Sequence, residues 1–184
     1  DMLLELAYGT RTSIIVGLIA GFVATFIGLT VGLCAGYKGG MIDEILNSLA
    51  NLFTVIPPFV ILILISVSLD TRSIIFTGFI IGLTAWPWTA RSVRAQASSL
   101  RNREHIYIAK ISGFSTIKII LFEIFPYVAS YVVMAFIIQL AAGVLQEATL
   151  SMLGLGPYHT ISLGQLLNWA LAFEAPGTGA SWTF

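Results

Sequence analysis

The residues able to do chemistry are few, and their spacing argues against catalysis. The chain of 184 residues has nine acidic and nine basic residues, two histidines and one cysteine. His105 and His159 are far apart in the sequence and have no accompanying cluster of ligands, so we expect no metal site. A Gly-x-x-x-x-Gly-Lys-Ser/Thr phosphate loop is absent, as are the His-Glu-x-x-His and Gly-x-Ser-x-Gly motifs of proteases and hydrolases. We therefore predict no catalytic residue, no cofactor and no metal.

The basic residues are the one charged group whose arrangement points to a function. Six of the nine fall in a single connection: Arg91, Arg94, Arg101, Arg103, Lys110 and Lys118. A basic connection beside a membrane can set the orientation of the chain, bind anionic lipid headgroups or dock a protein partner. Nucleic acid is not an expected partner, because the chain has no basic domain.

The composition indicates an integral membrane protein in contact with a lipid bilayer. Apolar residues make up 57% of the chain and charged residues 10%, the net charge is zero and the mean hydropathy is +0.92. An ordinary soluble domain has about 25% charged residues. A soluble enzyme or nucleic-acid-binding domain is therefore excluded, and the apolar content excludes a disordered chain.

Uncharged stretches predict the membrane spans. Four of them, 12–37, 45–69, 73–90 and 124–146, approach or exceed the roughly 20 residues that a helix needs to cross the hydrocarbon layer. The predicted fold is an all-α membrane protein, a polytopic bundle with transmembrane helices near 13–36, 46–69, 73–92 and 127–150. A fifth uncharged stretch is broken by Gly-x-Gly-Pro, and its end at 163–173 predicts only a short helix.

The positive charges predict the orientation. Basic residues are enriched in cytoplasmic connections, so we expect the 91–126 connection in the cytoplasm. Alternation of four helices then places the 38–44 turn on the same side. It places both ends of the chain and the short helix outside.

The connection Arg101–Pro126 is longer than a turn between two spans requires. Its spacing predicts a helix over Glu104–Ile111, ended by Gly113, which can take a positive φ. Ser115 suits the N-cap of a second helix, and Pro126 suits the first turn of the next span. Two short helices bent at a glycine form a compact projection that suits docking to a partner protein.

Three stretches of the chain resemble one family of transporters. Ala109-x-x-x-Gly113, followed by Pro126, looks like the EAA loop of the permease subunits of ABC importers. Residues 146–156, Gln-Glu-Ala-Thr-Leu-Ser-Met-Leu-Gly-Leu-Gly, are similar to the EATLSFLGLG stretch of the C-type permease in dipeptide and oligopeptide importers. Residues 1–13 resemble the segment before the second transmembrane helix of that subfamily. The chain departs from the loop pattern at Tyr107 and Ile108, which stand where the family has Glu and its first Ala.

The resemblance implies a type I ABC importer permease for peptides or nickel. Residues 1–184 would form a single transmembrane permease domain that lacks the family's first and last helices. The implied partners are a second permease subunit, two cytoplasmic ATPase subunits and an external solute-binding protein, in the inner membrane of a prokaryote. The 91–126 connection would be the coupling loop, with Arg101, Arg103, Ala109, Lys110, Gly113 and Pro126 as its candidate residues.

Small residues on the first predicted helix are expected at a packing face. Gly17 and Gly21, and likewise Gly28, Gly32 and Gly36, are four residues apart. Small residues at this spacing let helix backbones approach closely in a membrane. A stripe that lines the transport passage is the alternative interpretation.

Prolines and polar residues inside the spans leave further alternatives open. Pro57, Pro58 and Pro87 would form either kinks absorbed by neighbouring helices or flexible points used in transport. Glu147 is expected at the water-accessible outer end of the fourth span, with a role in gating or subunit contact as a hypothesis. The rival functions are a structural or assembly protein whose basic loop only sets its topology, and an ion-coupled carrier. A carrier would be expected to pair ionisable residues at mid-membrane, and the sequence shows no such pair.

Overall fold

The computed structural model describes residues 2–68, 73–157 and 160–173, and all the regular secondary structure in them is helical. The helices are α1 (Met2–Lys38), α2 (Gly40–Val55), α3 (Pro58–Ser68), α4 (Ile74–Leu100), α5 (Glu104–Ile111), α6 (Thr116–Ile119), a π-helical turn (Ile120–Ile124), α7 (Phe125–Met152) and α8 (Leu163–Ala172). His159 lies outside the described residues. The all-α prediction is confirmed for the part of the chain that is described.

Two of the described helices are long and apolar enough to cross a membrane. They are Met2–Lys38 and the uninterrupted run Thr116–Met152, each of 37 residues. The pair α2 and α3 would count as a third span if it crosses as one bent unit. The predicted span 73–92 is helical and continues to Leu100, but Arg91 and Arg94 lower its apolar content. The number of four spans therefore stays a prediction.

The predicted helix at 46–69 is wrong as a single element. It is two helices that meet at a bend of 72°, and the first of them begins earlier, at Gly40. Proline disfavours helical backbone in the residue before it, and Ile56 is accordingly extended, with φ −88° and ψ 125°. Pro57 also has no N–H to continue the hydrogen-bond pattern of α2. The double proline therefore divides this segment.

The glycines in the second half of α1 lie against α4. A Cβ added to Gly28 would lie 2.5 Å from Cβ of Thr89, and one added to Gly32 would lie 2.6 Å from the carbonyl oxygen of Ala90. A Cβ added to Gly36 would lie 2.6 Å from the carbonyl oxygen of Arg94. These distances are too short for any side chain, so the two backbones touch at this stripe.

The first half of α1 contacts α7 in the same way. A Cβ added to Gly17 or Gly21 would lie 2.9 or 3.0 Å from backbone atoms of Leu140. The approach is mutual, because a Cβ on Gly143 of α7 would lie 2.9 Å from Cβ of Ala20. The outer face of α1 carries large apolar side chains instead, such as Phe22 and Phe26, whose rings stack 6.0 Å apart and are mostly exposed.

A π-helical turn joins α6 to α7. The N–H of Phe125 donates to the carbonyl oxygen of Ile120, five residues earlier. Pro126, in the first turn of α7, has no N–H and its ring would collide with a carbonyl four residues before it. The wider turn accommodates this clash without ending the helix.

Candidate functional site

The loop between α4 and α7 is packed onto the ends of three long helices. On α5, Ile106 is fully buried and Ala109 is buried. They belong to one apolar cluster with Leu33, Tyr37, Val93, Ala97, Leu100, Ile119, Ile124 and Val128, contributed by α1, α4, the segment 116–124 and α7. Since one face of α5 buries apolar side chains against the bundle, packing fixes the position of this short helix. We call the set of α5 and the residues that connect it to α4 and α6 the loop, residues 101–115.

Gly113 gives the loop its bend. The predicted helix Glu104–Ile111 is confirmed, and Gly113 follows it with a φ of 78°. Its N–H donates to the carbonyl oxygen of Lys110, and the N–H of Phe114 donates to that of Ala109. This pair of hydrogen bonds is the Schellman motif, which needs a left-handed residue at the position of Gly113. The chain then turns directly into the N-cap Ser115, whose side chain accepts from the N–H of Lys118 at 3.4 Å.

The opposite face of α5 carries exposed apolar side chains. Tyr107, Ile108 and Ile111 are 66%, 63% and 70% exposed. Their positions alternate with those of the buried Ile106 and Ala109, as expected for two faces of one helix. We call Tyr107, Ile108 and Ile111 the outward face. Two of its residues are those that depart from the family's loop pattern.

The predicted basic contacts Arg101, Arg103 and Lys110 lie around one open cleft of about 520 Å³. Their side chains differ in whether they contact the rest of the bundle. The guanidinium of Arg101 covers Gly39 in the turn between α1 and α2, and the ammonium of Lys110 lies 5.3 Å from the ring centre of Tyr37. Arg103 is exposed and precedes α5 as its N-cap residue. The first two side chains therefore also hold the loop to α1.

An ion pair secures α2 at the same end of the bundle. Arg94 of α4 donates to both carboxylate oxygens of Asp43, with Nη2 2.7 Å from Oδ2. Two parallel hydrogen bonds fix the geometry of such a pair more firmly than a single one. Together with Arg101, this pair ties the α1–α2 turn to α4 and to the start of the loop.

Gln139 holds α7 to α4 inside the bundle. Its Nε2 donates to the carbonyl oxygen of Ala85 at 2.9 Å and to Oγ1 of Thr89 at 3.0 Å. These residues flank Pro87, and α4 continues through that proline without a break. The amide nitrogen of this buried side chain has two acceptors, which fits a structural role for Gln139.

Glu147 is the functional candidate whose surroundings in the structure differ from those predicted. It was expected at a water-accessible boundary, but the side chain is fully buried. Its two carboxylate oxygens accept hydrogen bonds from Ser13 of α1 and Ser151 of α7, both at 2.6 Å. Helix α8 lies against both helices at this end of the bundle, where the N–H of Leu163 donates to Ser13 and an added Cβ on Gly164 would overlap the backbone of Ala148. The spacing of Glu147 and Ser151, four residues on one helix, was a signal for their hydrogen bond but not for the burial.

Comparison with known proteins gives consistent results. The family model described as "Binding-protein-dependent transport system inner membrane component" matches residues 28–182. The oligopeptide transport system permease protein OppC of Escherichia coli K12 is 37% identical over 95% of this chain and 61% of its own length. OppC of Mycobacterium tuberculosis H37Rv is 31% identical over 100% and 62%. The dipeptide transport system permease protein DppC of Lactococcus lactis is 32% identical over 89% and 48%. The chain thus spans about three fifths, or less, of the length of these relatives.

Proposed function

This chain belongs to the family of binding-protein-dependent transport system inner membrane components, and from that premise we propose that it is a permease subunit of an ATP-driven peptide importer. Its long apolar helices make it a multi-pass membrane protein, and the bacterial relatives support the inner membrane of a prokaryote. The proposed partners are a second permease subunit, two ATPase subunits in the cytoplasm and an external solute-binding protein. A membrane protein whose basic loop only sets its topology is not favoured, given the named transport permeases it resembles.

The observation that carries the proposal is that one face of the loop packs on the long helices while its opposite face is exposed. The apolar cluster beneath Ile106 and Ala109 fixes the loop to α1, α4 and α7. The outward face remains available to a partner. A load applied to the outward face would therefore move the ends of three long helices together, which is the transmission that an ATPase-driven permease needs. In this proposal the loop, which is the part of the predicted 91–126 connection between α4 and α6, is the coupling loop and lies in the cytoplasm.

The glycines of α1 have a supporting role in this proposal. Their contacts with α4 and α7 leave no room for a passage along the stripe. We therefore assign Gly17, Gly21, Gly28, Gly32 and Gly36 to helix packing, and we expect the passage to be lined by other faces of the bundle.

The proposal is tested by reconstituting the permease with its partner subunits in lipid vesicles. ATP-dependent uptake of a labelled peptide in the presence of the solute-binding protein is the expected result, and uptake of Ni²⁺ serves as the comparison cargo. A chain that neither retains ATPase subunits on purification nor supports uptake of either cargo would contradict the proposal.

A substitution at Gly113 tests the coupling loop itself. Gly113→Val is expected to reduce the amount of co-purified ATPase about ten-fold, because a β-branched residue in left-handed backbone costs about 1–2 kcal/mol or more and unfolds the bend. Gly154→Val is the matched control. Gly154 also has a positive φ and open space around it, but it lies at the α8 end of the bundle. Equal loss of ATPase in both variants would show that the bend has no special part in docking.

A further inference from the structure

A chain of hydrogen bonds ends on the buried carboxylate of Glu147. The backbone N–H of Leu163, the first residue of α8, donates to Oγ of Ser13 at 3.2 Å. That hydroxyl donates in turn to Oε2 of Glu147, while Ser151 donates to Oε1. Three helices, α8, α1 and α7, therefore meet on one side chain that is fully buried.

The carboxylate has no cationic partner within the described ranges 2–68, 73–157 and 160–173. The one ion pair found there, Arg94 with Asp43, lies at the other end of the bundle. A buried carboxyl group is stable only where hydrogen bonds compensate for lost water. Here the compensation comes from two hydroxyls, and one of them, Ser13, also accepts from the first N–H of α8. The hydrogen bonds of Glu147 and the seated position of α8 therefore depend on one another.

Helix α8 fits closely into the place that this network defines. At Gly164 an added Cβ would overlap the backbone of Ala148 in α7, so the two helices touch. The amide of Asn168 donates to the carbonyl oxygen of Met152 at 2.6 Å and closes the contact at the end of α7. On α1, a Cβ at Gly9 would lie 3.3 Å from the N atom of Leu163.

We propose that Glu147 is a positioning residue that seats α8 across the outer ends of α1 and α7 and thereby closes that end of the bundle between transport cycles. The location of α8 on the outer side of the membrane rests on the proposed function, which places the loop in the cytoplasm. Transport requires α8 to leave this seat and return to it. Glu147 sets how often it does so.

The test measures how often α8 leaves its seat. Ala170 of α8 is buried, so a cysteine there reacts with a membrane-impermeant maleimide only when the helix is displaced. The reporter is Ala170→Cys in a Cys34→Ser background, because Cys34 is exposed. Glu147→Gln keeps the shape but replaces one acceptor oxygen with an amide nitrogen, which cannot accept the hydrogen bond that a serine hydroxyl donates there. We expect the reporter to react about ten-fold faster in this variant and in Ser13→Ala.

Two controls separate seating from general damage to the fold. Thr149→Ala removes an exposed hydroxyl that donates to the carbonyl oxygen of Leu145 in its own helix, and it should leave the labelling rate unchanged. The double variant of Glu147→Gln and Ser13→Ala should be no faster than either single one, because both act through the same hydrogen bond. Additive effects, or unchanged labelling in the single variants, would overturn the proposal.

A second reporter distinguishes failure of the proposal that Glu147 seats α8 from failure of the proposed function. Leu171→Cys is on the exposed side of α8 and should react from outside in every variant. If it reacts only from the cytoplasmic side, the orientation within the proposed function is wrong. In the reconstituted importer, Glu147→Gln should lower peptide uptake per ATP hydrolysed several-fold while hydrolysis continues. Unchanged uptake per ATP, despite faster labelling, would overturn the link between the seat and transport.

Discussion

Replacing Ile108 with glutamate is expected to reduce ATPase binding and ATP-driven uptake at least about 100-fold without unfolding the permease. Ile108 is 63% exposed and lies in the middle of the outward face, between Tyr107 and Ile111. A partner that covers this face with apolar groups would have to take the new carboxylate out of water, at a cost of about 3 kcal/mol or more. That free energy corresponds to roughly two orders of magnitude in affinity.

The measurement is the amount of ATPase retained on the purified permease, with uptake as the second readout. Met41→Glu is the matched control, because Met41 is 76% exposed at the same end of the bundle but lies on α2. It introduces the same charge and should leave ATPase binding intact. Full binding by the Ile108→Glu variant would show that the partner docks elsewhere.

Replacing Gly32 with valine is expected to lower the stability of the bundle by about 3 kcal/mol and to abolish most of the folded yield. The new Cβ would lie 2.6 Å from the carbonyl oxygen of Ala90 and 2.8 Å from Cβ of Val93. Two backbone segments would have to separate to admit it, and overpacking of this kind costs 1–3 kcal/mol even where side chains can adjust. Lipid offers no compensating hydrophobic force to bring α1 and α4 together again.

Thermal unfolding in detergent, together with the yield of monodisperse protein, measures the effect. The control is Cys34→Val, since Cys34 lies two residues further along α1 on an exposed face. It places the same valine side chain at an exposed position of the same helix. A Gly32→Val variant as stable as the control would contradict the packing role of the glycine stripe.

Local signals in the sequence predicted the loop well. Gly113, Ser115 and the run Glu104–Ile111 each have a conformational preference that acts within a few residues, and the structure has the helix, the left-handed residue and the N-cap at these positions. The double proline was predicted as a kink or flexible point within one helix over 46–69, whereas the structure ends α2 at Val55 and begins α3 at Pro58. The angle of 72° at that break could not be predicted, because contacts with α4 and α1 decide where α2 and α3 lie.

The surroundings of Glu147 could not be predicted from nearby residues. Its partner Ser13 is 134 positions away, and the segment that covers both comes later in the chain than Glu147. A count of apolar residues places the end of a span near Glu147 but does not show that another helix folds back over it. Burial at this site is a property of tertiary structure alone.

The π-helical turn before Pro126 has a mechanical consequence. Because it keeps the helix unbroken, Thr116–Met152 is one rod of 37 residues, about 55 Å long at 1.5 Å per residue. A tilt of about 5° imposed at the loop end of this helix would displace its far end by roughly 5 Å, about one helical turn. Under the proposed function, a small movement near Gly113 would therefore change the spacing of side chains at the far end of the helix.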